Sequence, residues 1–211
     1  MYPKMHEILK PKESMNFKVE HFEVSEESAK MCRLRDTINR KREYEGFEAG
    51  TYVRLCDKNI SSNMGVMMSN TPMEMRTNEY FVHKANGNVL IAGLGLGMVV
   101  LAIQDKPEVK SILVIEKYKE VIDLVVPQLP LNNKVKIINS DIFNWQPNGH
   151  KFDTIYFDIW NDITGDNYPE MKKLHRKFCR KLNRDNPHFW IDSWRKYDCK
   201  MANRSGDRFW L

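Results

Sequence analysis

The sequence lacks the features that mark membrane and exported proteins. Its longest apolar stretch, residues 93–103, is broken by glycines and is far shorter than the roughly 20 residues of a membrane-spanning helix. Residues 1–14 contain no apolar core of the kind that a signal peptide needs. We therefore expect a cytoplasmic protein with no membrane partner.

Cysteine is scarce and scattered along the chain. The four cysteines, Cys32, Cys56, Cys179 and Cys199, lie far apart and form no CxxC pair. This spacing favours reduced thiols over a disulfide scaffold or a zinc site, so we expect no bound metal.

Neither sign of charge dominates the chain. Lysine and arginine number 33 against 28 acidic residues, which gives a net charge of +5. This balance permits an anionic partner such as nucleic acid without requiring one. The hydrophobic content of 42% and the length of 211 residues are typical of one well-buried globular domain with a short extension.

The first 84 residues are expected to form this extension, a small α+β layer beside a main sheet. Polar and apolar residues alternate over residues 15–24, 51–57 and 64–69, and the alternation predicts three strands.

Two helices are predicted between and after these strands. Ser25 precedes two glutamates and is typical of an N-cap, so we expect a helix from there to about residue 44. Asn70 and Thr71 are expected to cap a second helix that continues through Tyr80.

Strand-like and helix-like segments alternate from residue 85 to residue 211. The expected strands read NVLIAG, VKSILVIE, KVKIIN, FDTIYFD and HFWID. Continuous apolar runs of this kind fit strands that are covered on both faces, as in a parallel sheet. The pattern predicts an α/β, Rossmann-like, doubly wound and mainly parallel sheet.

A glycine-rich loop follows the first of these strands. Gly93, Gly95 and Gly97 open directly into a helix, and glycine there permits a tight turn and close approach of a ligand. The next strand ends in Glu116, whose carboxylate could accept hydrogen bonds from both ribose hydroxyls of a nucleoside. Two simpler explanations stay open. The loop could hold its glycines for packing alone, and Glu116 could be a solvated acid at the end of a strand.

Polar residues also follow the third and fourth strands. Asp141 could accept a hydrogen bond from an adenine amino group, and Ile142 could pack against the base. Asp158 ends the fourth strand. Because the carboxyl ends of parallel strands meet at one edge of a sheet, these residues are expected to share a ligand site.

Taken together, these motifs resemble those of class I S-adenosylmethionine-dependent methyltransferases, and particularly of the spermidine-synthase-like branch. The resemblance covers about residues 64–192 and rests on NVLIAGLGLGM, VIEK, NSDI and FDTIYFDIW. Most methyltransferases carry an acid where this chain has Ile91, which is nearer the spermidine-synthase pattern. Residues 158–176 are also similar to a signature of small phage-encoded methyltransferase-like proteins.

The resemblance implies S-adenosylmethionine as cofactor and a lid formed by the segment before the glycine loop. Thr71, Glu74 and Arg76 would reach over the methionine end of the cofactor from this lid. The cofactor-binding set implied is Gly93, Leu94, Gly95, Gly97, Glu116, Lys117, Asp141, Ile142, Asp158 and Thr71.

The sequence departs from the family patterns at several positions, and these departures disfavour some of the family's reactions. Aminopropyltransferases carry an acid inside the glycine loop, where this chain has Leu96. The sequence after Asp158 does not match amino-directed DNA methyltransferases, and none of the four cysteines follows a proline, as in cytosine-C5 enzymes. Few residues follow the fifth strand, so we expect a sheet trimmed at its C-terminal end.

Asp158 and Asp162 are the candidate catalytic residues. A carboxylate near the sulfonium could bind the methionyl amine, orient a nucleophile or accept its proton. Asp162 could instead only cap the next helix. Trp160 could form a wall of the site or simply pack.

The acceptor and any partner stay open at this point. The acceptor could be a small molecule or a nucleic acid, and a homodimer is possible. Basic residues on one predicted helix favour a solvated face over a phosphate-contacting surface; they are Lys172, Lys173, Arg176, Lys177, Arg180 and Lys181. Basic and aromatic residues near the C-terminus could bind a partner or dock on the fold; they are Trp194, Arg195, Arg204, Arg208 and Trp210.

Four functions are compatible with these residues. The first is a methyltransferase of unidentified acceptor. The second is an aminopropyltransferase, or an enzyme that cleaves S-adenosylmethionine, at the same site. The third is a non-catalytic binding protein on the same fold. The fourth, a nicotinamide dehydrogenase, is weaker because the chain offers no second substrate domain.

Overall fold

A computed structural model describes residues 2–39, 47–61 and 65–205. The predicted end of the helix after Ser25, at residue 44, lies outside these residues, as do the tail residues Arg208 and Trp210. Within the described ranges, no helix has both the length and the apolar character that a membrane crossing needs.

The elements form two sheets that follow one another along the chain. The N-terminal part contains α1 (Met5–Ile8), β1 (Lys12–Glu13), β2 (Phe17–Val24), α2 (Glu26–Asn39), β3 (Gly50–Asp57), β4 (Val66–Ser69) and α3 (Pro72–Lys84). The remainder contains β5 (Gly87–Ala92), α4 (Met98–Gln104), β6 (Val109–Glu116), α5 (Lys119–Val125), β7 (Val135–Asn139), β8 (Thr154–Phe157), α6 (Asn167–Phe178), β9 (Trp190–Ser193) and α7 (Lys196–Ser205).

Strands β1 to β4 form an antiparallel sheet in chain order. The longest pairing joins β2 and β3, from Phe17 opposite Asp57 to Val24 opposite Gly50. Ser25 caps α2 as predicted, because its Oγ accepts the Ser28 N–H at 3.1 Å.

The prediction that Asn70 and Thr71 cap α3 with their side chains is wrong. Thr71 occupies the N-cap position, but its side chain makes no capping bond and lies 3.1 Å from the Ser69 hydroxyl instead. Asn70 faces the sheet, where its Oδ1 accepts the Val53 N–H at 2.6 Å. The helix also continues beyond Tyr80, to Lys84.

Strands β5 to β9 form a parallel sheet in the order β7-β6-β5-β8-β9. The chain enters this sheet at the central strand, β5, and adds β6 and β7 on one side. It then crosses back and adds β8 and β9 on the other side of β5. Helices α4, α5 and α6 alternate with the strands, so the predicted Rossmann-like α/β fold is confirmed. Within the described residues, β9 is followed by α7 and by no further strand.

One hydrophobic core joins the two sheets. Met5 of α1 and Val53 of β3 are fully buried in the same cluster as Val89 of β5 and Phe157 of β8. The N-terminal layer therefore packs directly on the parallel sheet, and it contributes to whatever site lies at the junction.

Candidate active site

The carboxyl ends of β5, β6 and β8 and the segment after β7 open into a cleft of about 280 Å³. The direction of strand addition reverses between β5 and β8. In open α/β sheets, ligands bind in the crevice outside such a reversal. Residues from β3, β4 and α3 also line the cleft, so the N-terminal layer forms part of its wall.

Backbone contacts fix the glycine loop against the end of β8. The Asp158 N–H donates to the Ala92 carbonyl at 2.8 Å, and the Gly93 N–H donates to the Ile115 carbonyl at 2.9 Å. Gly93 has a φ of +97°, and a Cβ on it would lie 2.0 Å from the Asp158 carbonyl oxygen. Glycine is required here because the two strand ends meet too closely for any side chain.

Glu116 is buried under this loop with both carboxylate oxygens engaged. Its Oε2 accepts the Leu94 N–H and its Oε1 accepts the Tyr118 N–H, each at 2.8 Å. Burial raises the pKa of Glu116, and backbone N–H groups partly offset the rise. Because a carboxylate oxygen can accept two hydrogen bonds, each oxygen keeps capacity for a ligand hydroxyl.

The segment after β7 forms a turn beside the cleft. Asp141 Oδ1 accepts the Phe143 N–H at 2.8 Å, and Ile142 is buried at the cleft wall. Lys177 of α6 donates to the carbonyls of Ile142, Phe143 and Trp145 at 3.1, 2.8 and 2.6 Å. The prediction that Lys177 belongs to a solvated face is therefore wrong, since its ammonium holds this turn in place.

Two carboxyl groups with raised pKa values line the same cleft. Burial raises the pKa of Asp158 to about 7. Burial also raises the pKa of Glu74 to about 8, with a further rise from Asp158 and partial offsets from the Ser69 N–H and from Arg195. Asp158 stays in contact with solvent through the cleft, although protein encloses it on most sides.

The N-terminal layer contacts the glycine loop through methionine. Met68 Sδ accepts the Leu96 N–H at 3.3 Å, and a Cβ on Gly95 would lie 2.2 Å from that sulfur. On another side of the cleft, Trp160 Nε1 donates to Glu170 Oε2 at 2.9 Å. Trp160 thus lines the cleft and is held by a hydrogen bond as well as by packing.

Most of the sequence-predicted cofactor residues line the cleft. They are Gly93, Leu94, Gly95, Glu116, Lys117, Asp141, Ile142 and Asp158. Their contact with a cofactor stays a prediction, because position alone does not show binding.

Four predicted residues, Gly97, Thr71, Arg76 and Asp162, do not line the cleft. Gly97 has a φ of +75° and begins α4, so its place is structural. Asp162 is exposed and accepts hydrogen bonds from the Asn167 side chain through its carbonyl and Oδ1, at 2.9 and 3.3 Å. The helix-capping alternative is wrong as well, because Asp166 is the N-cap of α6 and Asp162 contacts the side chain of Asn167 rather than a backbone N–H of the helix.

Sequence reasoning missed several residues of the cleft, namely Leu55, Met67, Met68, Tyr118, Phe143, Glu170 and Trp194. Tyr118 and Phe143 carried a signal, since each is next to a predicted site residue, and Met67 and Met68 lie in the segment that was predicted to form the lid. The others come from elements whose packing on the sheet no local pattern indicates.

No family model matches the chain, and no curated protein matches it. Solved structures with a similar chain path include precorrin 8W decarboxylase of Methanobacterium thermoautotrophicum, at a TM-score of 0.46 and 19% identity over 66% of this chain and 74% of that chain. The N-methyltransferase NodS of Bradyrhizobium japonicum, in complex with S-adenosyl-L-homocysteine, has a TM-score of 0.43 and 16% identity over 54% of this chain and 58% of that chain.

The plantazolicin methyltransferase BpumL, also in complex with S-adenosylhomocysteine, has a TM-score of 0.41 and 15% identity. It matches 74% of this chain, which spans about half (49%) of BpumL. At these values the similarities assign neither a reaction nor a substrate to this protein. Within the described residues, no group of three or more histidine, cysteine or acidic side chains is arranged to hold a metal ion.

Proposed function

We propose that the protein is an S-adenosylmethionine-dependent methyltransferase whose cofactor binds in this cleft. The observation that carries the proposal is the junction of β5, β6 and β8. There the turn at Gly93, a residue with no room for a side chain of its own, lies beside the buried carboxylate of Glu116. A nucleoside that approaches this backbone closely would find acceptors for its ribose hydroxyls.

The residues present fit the parts of this cofactor. Glu116 would accept from the ribose hydroxyls, while Asp141 and Ile142 would contact the adenine. Asp158, beside the glycine loop, would bind the methionyl ammonium. The cofactor itself supplies a methyl group on a sulfonium sulfur, and that group is already reactive toward nucleophiles.

The chain then needs to position and enclose the reactants. In-line placement of the acceptor contributes most to such a transfer, so few catalytic groups are required. The aromatic and thioether side chains of Trp160, Trp194 and Met68 would exclude water from the cleft.

A second candidate function is aminopropyl transfer or cleavage of the cofactor. The observation that favours it is the presence of two proton-accepting carboxyl groups, Glu74 and Asp158, in one cleft. Against it, Leu96 is fully buried where aminopropyltransferases carry an acid. Product analysis separates the two reactions, because methyl transfer yields S-adenosylhomocysteine and the alternatives yield methylthioadenosine.

The testing experiment is a parallel calorimetric titration with S-adenosylmethionine, S-adenosylhomocysteine and NAD. We expect the two sulfur nucleosides to bind and NAD to give no signal. Binding of NAD alone would indicate a dehydrogenase, and no binding of any of the three would favour the non-catalytic protein. In a turnover assay, Asp158→Asn should lose activity.

A further inference from the structure

The cleft has one more carboxyl group, Glu74, than the methionyl end of the proposed cofactor needs. Glu74 lies in the first turn of α3, next to the N-terminal sheet, and Asp158 follows β8 of the parallel sheet. Both line the cleft. A single ammonium on the methionyl end of the cofactor would pair with Asp158 and leave Glu74 for a second ligand.

Cationic side chains near the cleft do not pair with these two acids. Lys117 lies with its Nζ 5.4 Å from the centroid of the Tyr118 ring, and Arg195 donates from Nε to Asp198 Oδ2 at 2.7 Å. Over the described residues, no lysine or arginine forms an ion pair with Glu74 or Asp158. Asp158 likewise receives no side-chain hydrogen bond there.

A buried hydroxyl beside Asp158 also lacks a partner. The Tyr2 hydroxyl is enclosed and makes no hydrogen bond to any part of the protein that the structure describes. Burial and the nearby charges of Glu79 and Asp158 raise the pKa of Tyr2, so it stays a neutral phenol. Tyr2 is not among the residues that line the cleft, and it supplies Asp158 with neither a charge nor a hydrogen bond.

The remaining wall of the cleft is apolar and aromatic. Met67, Met68, Phe143, Trp160 and Trp194 line it. Aromatic faces attract cations as well as apolar groups. Lys117 also lines the cleft, but it makes no ion pair with Glu74 or Asp158, so an anionic acceptor beside these two carboxyl groups would be repelled when they are ionised.

We propose that the methyl acceptor is a small amine, and that Glu74 binds its ammonium and accepts its proton. This inference rests on the proposed methyltransferase function. Asp158 is assigned to the cofactor, because its backbone meets the glycine loop at Gly93. Glu74 is assigned to the acceptor, because it reaches the cleft from α3 and not from the glycine loop.

The step balances in protons and electrons. The bound ammonium favours the ionised form of Glu74. This carboxylate takes one proton from the ammonium, which leaves a neutral amine with a lone pair on nitrogen. That lone pair forms the new bond to the methyl carbon while the carbon–sulfur bond breaks and its electron pair returns to sulfur. The products are the methylated ammonium, neutral S-adenosylhomocysteine and protonated Glu74, which releases its proton to solvent.

The test compares matched acceptors on the full-length protein. Benzylamine and hexylamine are offered with S-adenosylmethionine, alongside the alcohols and carboxylates of the same carbon skeletons, and S-adenosylhomocysteine is measured. We expect product from the amines only. Product from alcohols or carboxylates at a similar rate, or from no amine at all, would overturn the inference.

Variants of α3 test the role of Glu74. Glu74→Gln should lower kcat/KM for the amine by about 100-fold or more, as expected for loss of a general base, with an unchanged Kd for S-adenosylhomocysteine. Glu74→Asp should restore part of the activity. Glu79→Gln, an exposed change of the same charge on the same helix, should behave as wild type. Full turnover by Glu74→Gln would contradict the assignment.

The two hypotheses fail in different ways. If wild type binds S-adenosylhomocysteine but methylates no amine, the acceptor inference fails and the cofactor site stands. If wild type binds neither S-adenosylmethionine nor S-adenosylhomocysteine, the methyltransferase proposal itself fails.

Discussion

The two walls of the cleft are built by different kinds of contact. On the parallel-sheet wall, backbone groups meet backbone groups, as in the 2.8 Å bond from the Asp158 N–H to the Ala92 carbonyl. On the N-terminal wall, side chains make the contacts, as in the 3.3 Å approach of the Leu96 N–H to Met68 Sδ. Backbone hydrogen bonds form whatever side chains the residues carry, except that Gly93 has no room for a Cβ, whereas side-chain contacts change when the residue changes.

This difference fits a cleft in which the two walls bind different ligands. An invariant ligand such as a cofactor suits the rigid backbone frame. An acceptor that differs from one enzyme to another suits a wall of exchangeable side chains such as Glu74 and Met67. If the walls act separately, a substitution in one wall should leave the ligand contacts of the other unchanged.

The largest effect is expected at the backbone junction. Gly93→Ala would place a Cβ 2.0 Å from the Asp158 carbonyl oxygen at a φ of +97°. Strain at positive φ costs about 1–3 kcal/mol, and overpacking adds about 1–3 kcal/mol. We expect a matching loss of unfolding free energy in urea titrations and no measurable binding of S-adenosylhomocysteine.

Gly149→Ala provides the control for this variant. Gly149 has a φ of +87°, but a Cβ there meets nothing within 4 Å. Its free energy of unfolding should fall only by the cost of backbone strain, about 1–3 kcal/mol, and its ligand affinity should stay unchanged. Equal losses in the two variants would show that the backbone junction is not tight.

The parallel-sheet wall could be predicted from sequence, for a physical reason. Continuous apolar runs identify buried strands, and β6 was predicted and found over the same residues, Val109–Glu116. Once strands are parallel, their carboxyl ends share one edge. Glu116, Asp141 and Asp158 therefore had to lie near one another.

The N-terminal wall could not be predicted in the same way. Thr71 and Glu74 lie three residues apart at the start of α3, yet only Glu74 lines the cleft. The rotation of α3 about its axis decides which of them does so, and packing against the parallel sheet sets that rotation. Trp194, the residue after β9, and Glu170 of α6 reach the cleft by the same kind of long-range packing.

The next largest effect is expected at Glu116. Glu116→Gln removes the negative charge and places an amide NH₂ against a backbone N–H. Hydrogen bonds to charged groups contribute about 1.5–3 kcal/mol, so the Kd for S-adenosylhomocysteine should rise about 10- to 100-fold. Calorimetry measures this rise directly.

Asp123→Asn is the matched control, because it removes one charge from an exposed position on α5 outside the cleft. It should bind S-adenosylhomocysteine as wild type does. An unchanged Kd in Glu116→Gln would show that Glu116 holds only the Leu94 and Tyr118 N–H groups and not a ribose.

A smaller effect, on the N-terminal wall, is the dependence of folding stability on pH. The pKa of Glu74 is raised to about 8 in the folded protein, so the folded state holds this proton more tightly than the unfolded state. The stabilisation is complete below the ordinary value of 4.5 and is lost as pH rises toward 8. The melting temperature of wild type should therefore fall between pH 6.5 and pH 8.5.

Glu74→Gln should flatten this fall, because its amide cannot ionise. Asp158, whose pKa is raised to about 7, leaves part of the slope in the variant. His175 does not contribute to the slope between pH 6.5 and pH 8.5, since burial lowers its pKa to about 4. Glu79→Gln should keep the wild-type slope, and a Glu74→Gln slope equal to wild type would place Glu74 in contact with water rather than in the enclosed cleft.

The smallest effect is expected where the two walls touch. Met68→Leu keeps the volume of the side chain but removes the sulfur that accepts the Leu96 N–H. Loss of a weak hydrogen bond costs at most about 1 kcal/mol, so the Kd for S-adenosylhomocysteine should rise by no more than about fivefold. Met67→Leu, which changes a neighbouring cleft residue with no such bond, should leave the Kd unchanged. A rise as large as that of Glu116→Gln would mean that the glycine loop depends on the N-terminal layer for its shape, and the backbone frame would then not be independent of the side-chain wall.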